Sequence, residues 1–528
     1  MTLLNAWKEK WPDIRISKPA KTGDKGVLDS GAFRSLEVDK LFDTVNHAQT
    51  IIGQAVLYRS LVQPLDDLQA ITDKQEAVKE IQNNSELKNS LERLVANAKQ
   101  DEDHFHKLLF SKFLSAGGTA RDDTEIEGYG YVQYRRGTRF MLDFVNGIDR
   151  LETTQSSYLN NVLQSVKDYT ATRAYALMLG PVYITEKGIQ SKQDRSKLAP
   201  AIIFKPQIFK PLLFILLFSV FMAAKFFLPT DIVNISRGGV AGAAIFLIPM
   251  MLIYFPVIGG FDRDSCIKPL RDEYRSSDEV GLVLDAIGEV DELLSLARYA
   301  DSCAEPLIMP EMIAAEHHKI SLQNAKNPVL SKADATYVGN DFSIDQEKLI
   351  LITGPNSGGK TAFCKTVTQI QLLAQIGSYV PATSATLTVA DKIFYQAPEI
   401  SQLEDGEGRF GTELKRTRDI FLASTAKSLV VLDELSEGTT FEEKMETSAN
   451  VLDGFYQKGC NVLLITHNHQ LVDHFVDQRI GHALQVEFVD EDPTHKLIPG
   501  ISRVSHAHRV AKKIGFSKDD IARHLAEG

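Results

Sequence analysis

Eight residues constrain this chain more than any others: Gly354-Pro355-Asn356-Ser357-Gly358-Gly359-Lys360-Thr361. They form a complete G-x-x-x-x-G-K-[ST] phosphate loop, and they follow directly on the apolar run Leu349-Ile350-Leu351-Ile352. That run predicts a strand buried on both faces. The helix predicted to start near Lys360 turns its positive N-terminal end toward the loop. Strand, glycine-rich loop and helix in that order require an α/β domain. The glycines let consecutive backbone N–H groups curl around phosphate oxygens. In such a loop Lys360 reaches the terminal phosphates and Thr361 ligates Mg²⁺.

A phosphate loop needs a carboxylate delivered from a second strand. Ser428-Leu429-Val430-Val431-Leu432-Asp433-Glu434 reads as another doubly buried strand with an acidic end. Asp433 is the expected Mg²⁺ partner, and Glu434 the expected general base that polarises an attacking water. A third apolar run, Cys460 to Ile465, ends in Thr466-His467. His467 is thereby expected at the carboxyl end of the sheet, where ligands bind in open α/β folds. There it would sense a γ-phosphate or orient the water.

These segments resemble the ATPase domain of the MutS family, the DNA mismatch-repair proteins. The resemblance rests on Thr353 to Thr361, on Ile376-Gly377-Ser378-Tyr379-Val380-Pro381-Ala382, on Leu432 to Leu435, and on Gly438-Thr439 and Thr466-His467. Lys496-Leu497-Ile498-Pro499-Gly500 and Val510-Ala511-Lys512-Lys513-Ile514-Gly515-Phe516 add to it. It implies ATP and Mg²⁺ as cofactors, with Ala362 joining the loop residues at the nucleotide. It also implies an adenine-stacking aromatic ahead of the loop, a position that Tyr337 fits. A homodimer is implied too, because a signature loop from a second subunit completes such sites. Where the family pattern carries a Ser-Thr pair just before a Phe, this chain has Gly408-Arg409-Phe410. Arg409 could supply charge in trans as an arginine finger does, so Arg409→Ala is expected to lower turnover and leave affinity within a few-fold. Glu437 also stands where the family has an Arg. Both departures bear on the hydrolysis rate and the dimer coupling, and not on ATP binding.

Upstream, Leu41 to Val45, Gly53, Leu61 to Leu68 and Lys74 to Val78 look like the start of the family's helical core. Apolar residues at Ile287, Val290, Leu293, Leu294 and Ala297 have helical spacing and resemble its returning lever. The stretch ahead of Ser35 leaves no room for the mismatch-reading domain, and its lysines read as a solvated arm.

Two apolar stretches interrupt the helical region. Pro211 to Leu228 would span about 27 Å as a helix and Val240 to Gly260 about 31 Å, close to the roughly 30 Å of a hydrocarbon core. Lys192, Arg195, Lys197, Lys205 and Lys210 precede the pair, and Arg263, Lys268 and Arg271 follow it. That bias predicts a transmembrane hairpin with both ends in the cytoplasm and loop 229–239 outside.

The expected organisation is multidomain: a flexible arm over 1–34, a helical core and first lever over 35–200, and two transmembrane helices within 201–264. A returning lever over 265–310 leads to an α/β phosphate-loop ATPase domain of the ABC/MutS type over 311–528. The expected location is the cell membrane, multi-pass, with lipid contacted through 211–260. Net charge −11 argues against a strong phosphate-backbone binder, yet it leaves local patches such as Arg135-Arg136-Gly137-Thr138-Arg139. Cys266, Cys303, Cys364 and Cys460 lack metal-ligand spacing. Three functions stay open: a membrane-anchored MutS-like ATPase coupling dimer closure to lever motion, with DNA as cargo through family descent; a membrane scaffold or remodelling ATPase with no DNA role; and a nucleotide-dependent binding module with little turnover.

Overall fold

The computed structural model describes residues 4, 7 and 13–527, apart from 115–117, 123, 152–153, 197–199, 225–238, 306, 335, 346–347, 356–357, 399–407, 436–440, 490–491 and 504–513. Within helices, the side chains at 221, 222, 224, 239–247, 249, 408, 409 and 441 are likewise undescribed. The chain divides into two compact units, one of residues 1–16, 48–56 and 84–294, the other of 17–47, 57–83 and 295–528.

The first unit is helical. Its labelled helices are α1 (Ile51–Val62, whose first turns belong here), α2 (Ser85–Phe110), α3 (Tyr131–Ile148), α4 (Pro211–Ala224), α5 (Gly239–Asp262) and α6 (Asp278–Ser302, here up to Leu294). Helices α2 and α3 pack closely because Gly137 has no side chain. A Cβ there would lie 2.9 Å from the Phe105 backbone. Leu91, Val95, Phe105 and Leu108 of α2 and Phe140, Met141 and Phe144 of α3 are all buried, and the Phe105 and Phe140 rings lie 5.6 Å apart. The N-terminus of α1 is held by two buried carboxylates. Asp291 accepts from the Thr50 N–H (2.7 Å) and hydroxyl (2.8 Å), and Glu102 from the Ile51 N–H (3.0 Å). Such groups satisfy the orphan donors that begin a helix.

The described residues do not bear out the expected transmembrane hairpin. Among the described residues, no helix is long and apolar enough to cross a membrane. The described part of α4 covers 14 residues, about 21 Å, less than the thickness of a hydrocarbon core. Helix α5 is longer, but Met250, Tyr254, Ile258 and Asp262 form one buried stripe along it. Polar bonds tie that stripe to the unit. The Tyr254 hydroxyl accepts from the Lys210 N–H at 2.8 Å, while Asp262 takes the Lys210 ammonium at 2.7 Å and the Tyr131 hydroxyl at 2.6 Å. The membrane location and the lipid contact through 211–260 are corrected with the hairpin. Loop residues 229–238 lie outside the described residues. Leu212, Ile215, Leu216, Val220, Leu252 and Val257 remain exposed on these helices.

The second unit is α/β. Its strands are β1 (Glu311–Ile313), β2 (Ile320–Ala325), β3 (Asn340–Ile344), β4 (Leu349–Thr353), β5 (Ser384–Thr388), β6 (Ile393–Gln396), β7 (Leu429–Asp433), β8 (Asn461–Ile465), β9 (Gly481–Val489) and β10 (Asp492–Pro499). The main sheet has the order β6-β7-β8-β4-β9-β10, parallel throughout except for β10. A second sheet runs β1-β5-β2-β3. All five residues of β4 and all five of β8 are buried, as covered parallel strands require. Its helices include α7 (Lys360–Gln375), α8 (Gly408–Ala423), α9 (Phe441–Lys458) and α10 (His469–Asp477).

Residues 20–36 are built into this unit and are not a free arm. Val27, Leu28 and Ala32 are buried, and the Ile393 N–H donates to the Val27 carbonyl at 2.7 Å on the open edge of β6. Lys392 clasps the Gly26 carbonyl at 2.7 Å. Val27-Leu28 is too short to show a periodicity in sequence.

Candidate functional site

The loop after β4 carries glycine where geometry demands it. Gly354 stands at φ 130° and Gly359 at φ 91°, conformations that side chains rarely adopt. At Gly358 a Cβ would lie 2.7 Å from Val486 of β9. Asn356 and Ser357 lie outside the described residues. The Gly358 N–H donates to the Pro355 carbonyl at 3.0 Å, and Gly359 caps α7. The Lys360 ammonium turns back over the loop and donates to the Gly354 carbonyl at 2.7 Å. Burial pulls Lys360 below the usual lysine range, while Asp433 and Glu434 push it back up.

Four further residues gather at the same sheet edge. The Thr361 hydroxyl, at the exposed first turn of α7, donates to Asp433 Oδ2 at 3.2 Å. A hydroxyl and a carboxylate so placed are hard oxygen donors of the kind Mg²⁺ takes, so this pair fits that ion. Glu434 follows β7 in a left-handed conformation (φ 61°), with its N–H on the Ile465 carbonyl. The turn sets its carboxylate 3.4 Å from His467 Nε2. Tyr337 is half-buried, with its hydroxyl 3.3 Å from Thr366 Oγ1 of α7. Gly408 and Arg409 open α8, where only their backbone is described, and residues 436–439 lie outside the described residues.

One neighbour of the loop went unread in the sequence. His495 lies in β10 at a register irregularity opposite residues 486–488, with φ 62°. A Cβ on Gly359 would lie 3.5 Å from its Nδ1, so the ring stands against the start of α7. Buried Asn340 holds that turn, donating to the His495 carbonyl at 3.0 Å and accepting from the Leu497 N–H at 2.8 Å. Bulges re-aim side chains toward sites in this way. A lone histidine in a hairpin strand has no spacing signature; only its place beside the quoted Lys496–Gly500 segment could have flagged it.

The heptapeptide 376–382 has a structural basis. Gly377 (φ 77°) ends α7, its N–H on the Ala374 carbonyl at 3.1 Å and the Ser378 N–H on the Leu373 carbonyl at 3.0 Å. That pair is a Schellman cap, which needs a left-handed residue. Val380 then pairs with Ile308 through two backbone bonds, of 2.8 and 3.0 Å.

A phosphate loop on a central strand of a mostly parallel sheet, flanked by an acidic strand end and a histidine, defines a phosphate-loop nucleotide-binding α/β protein. Residues 29–297 match the family model for MutS domain III, and residues 350–526 match that for MutS domain V. The chain belongs to the MutS family. Among curated relatives, it is 30% identical over 255 residues to the DNA mismatch repair protein MutS of Prochlorococcus marinus (strain MIT 9301), a match covering 46% of this chain and 28% of that protein. It is 32% identical over 257 residues to the protein of the same name from Thermotoga maritima, covering 47% and 32%. Over 192 residues it is 35% identical to that of Desulforamulus reducens, covering 35% and 22%. The chain thus spans about a third of these relatives' length, or less.

Proposed function

We propose that this protein is a MutS-like ATPase in which ATP binding and hydrolysis drive closure of a homodimer and movement of its helical unit, with duplex or branched DNA as the cargo class. The observation that carries the reading is the convergence of Lys360, Thr361, Asp433, Glu434 and His467 at one edge of the main sheet. In this reading the phosphates lie in the cradle from Gly354 to Ala362, and Lys360 leaves the Gly354 carbonyl for phosphate oxygens. Thr361 and Asp433 hold Mg²⁺, which when bound neutralises charge developing on the phosphates. Glu434 accepts a proton from the attacking water, and His467, 3.4 Å away, orients that carboxylate. Tyr337 supplies a face for the base, and His495 lines the start of α7. Arg409 and Gly408 at the head of α8 face a partner's nucleotide in the closed dimer.

The test compares the full chain with Lys360→Ala and Glu434→Gln. Lys360→Ala should lose nucleotide binding. Glu434→Gln should bind ATP, hydrolyse it at least about 100-fold more slowly, and stay dimeric only while ATP is present. A parent that binds ATP and forms the same ATP-dependent dimer without measurable turnover would select the nucleotide-dependent binding module, the reading that Gly408 and Glu437 favour. No retention of duplex or branched DNA at about 50 mM salt would remove the DNA cargo.

A further inference from the structure

We propose that Thr366 is a positioning residue of the nucleotide site: its hydroxyl ties the Tyr337 ring to the first turns of α7, so that the base-facing and phosphate-facing parts of the site move as one piece. The inference rests on the nucleotide reading given above and adds to it the device that couples the two ends of the ligand.

The direction of the bond follows from proton arithmetic. A threonine hydroxyl has one proton. Thr366 places that proton on the Ala362 carbonyl, one turn back in α7, at 2.8 Å. Its remaining lone pairs can only accept, so the 3.3 Å contact with Tyr337 is a bond from the phenol to Thr366. A chain therefore runs from Tyr337 through Thr366 to Ala362, two residues after Lys360. Thr366 is buried, where an unsatisfied oxygen is costly and a satisfied one holds its partner in place.

The segment that carries Tyr337 is fastened to α7 a second time. Asn327 donates to Gln369 Oε1 at 2.9 Å and accepts from the Val329 and Leu330 N–H groups at the start of the short helix Leu330–Ala333. The turn into Tyr337 is fixed by Asp334, which accepts from the Thr336 N–H at 2.8 Å and hydroxyl at 2.6 Å. The Tyr337 N–H returns to the Asp334 carbonyl at 3.1 Å. The ring thus follows hydrogen-bonded backbone and ends on α7. That arrangement makes a preformed platform whose position tracks the phosphate loop, and preorganisation of this kind raises affinity without a new ligand contact.

The experiment uses the full chain with Tyr337→Phe, Thr366→Val and the double variant. Tyr337→Phe keeps the ring and removes the proton; Thr366→Val keeps the shape and removes the acceptor. Equilibrium affinity is measured for ATP and, by competition, for inorganic triphosphate, which has no base. Each single variant should weaken ATP by about 3- to 10-fold, the double variant no more than the worse single, and triphosphate should bind all of them as it binds the parent. Parallel loss of triphosphate would make Thr366 a helix residue only. Additive losses, or ATP bound by both singles as by the parent, would also overturn the coupling. Tyr337→Ala separates the two levels. If it binds ATP like the parent, the base-platform reading itself falls; if it binds weakly while the two hydroxyl variants do not, only the role of Thr366 falls.

Discussion

At Glu434 the chain leaves β7 in a left-handed turn, and that turn brings the carboxylate beside His467. Because His467 touches Glu434, and Lys360 answers for the loop, His467→Ala should lower kcat about 10- to 100-fold and leave the ATP Kd within a few-fold. Equal losses in kcat and affinity would put His467 on the phosphates instead. In the helical unit, burial pushes the Glu102 carboxyl up to about 7; the Ile51 and Ile52 amides pull it down and Asp291 adds to the rise. Between an unfolded value near 4.5 and about 7, the folded protein keeps a proton that the unfolded chain has lost. This group's contribution to stability therefore falls as pH rises through that window, by up to about 3 kcal/mol in all. Urea midpoints of the parent, taken relative to Glu102→Gln, should decline from pH 4.5 to 7 and then level. A constant offset would refute the assignment. Close by, a Cβ on Gly53 would lie 2.3 Å from Asp291 Oδ2, so Gly53→Ala should cost about 2 kcal/mol or more in the same assay. Residues with fixed motif spacing, Lys360, Thr361, Asp433 and Glu434, were legible from sequence. His495 and Thr366 were not, because each depends on a partner distant in the chain.

Among elements, β4, β7 and β8 were legible because unbroken apolar runs have few other homes than a covered parallel sheet. The same signal misled at α4 and α5. Apolar composition cannot reveal that Tyr254, Lys210 and Asp262 will find one another. Helix α7 shows another feature that hydropathy hides: three buried glutamines. Gln369 donates to the Leu36 carbonyl at 2.8 Å, Gln371 to the Thr388 carbonyl at 2.9 Å, and Gln375 to the Leu65 and Ala390 carbonyls at 2.8 and 3.0 Å. Each amide oxygen also accepts, from Asn327, His318 and Ala390 respectively. Substituting Gln375→Leu strands several buried backbone groups and should cost about 2–4 kcal/mol, read by chemical denaturation.

For the whole molecule, the α/β unit is assembled from three stretches of chain, and 311–528 is only part of it. Val27 and Leu28 cover the edge of β6, and Leu36 and Leu65 supply carbonyls to α7. An isolated 311–528 fragment should therefore lose cooperative unfolding and expose the β6 edge to aggregation, whereas a chain starting at residue 17 should not. Melting curves of the two decide it. Family membership was legible because its motifs are local; the interleaving of segments was not, because it is a property of pairing across hundreds of residues.

The glutamines of α7 also set which solution conditions the fold will notice. Amide-to-carbonyl bonds carry no net charge, so added salt does not screen them. Among the described residues that bond these amides, only His318 titrates, and burial pulls it down to about 4. The Lys365–Glu37 ion pair on the same helix, at 3.0 Å and partly exposed, is screened. Ionic strength can thus weaken one attachment of the phosphate-loop helix and leave the amide attachments intact, so the seat of the nucleotide site should hold its shape across the range of salt over which charge-based binding of a nucleic acid comes and goes.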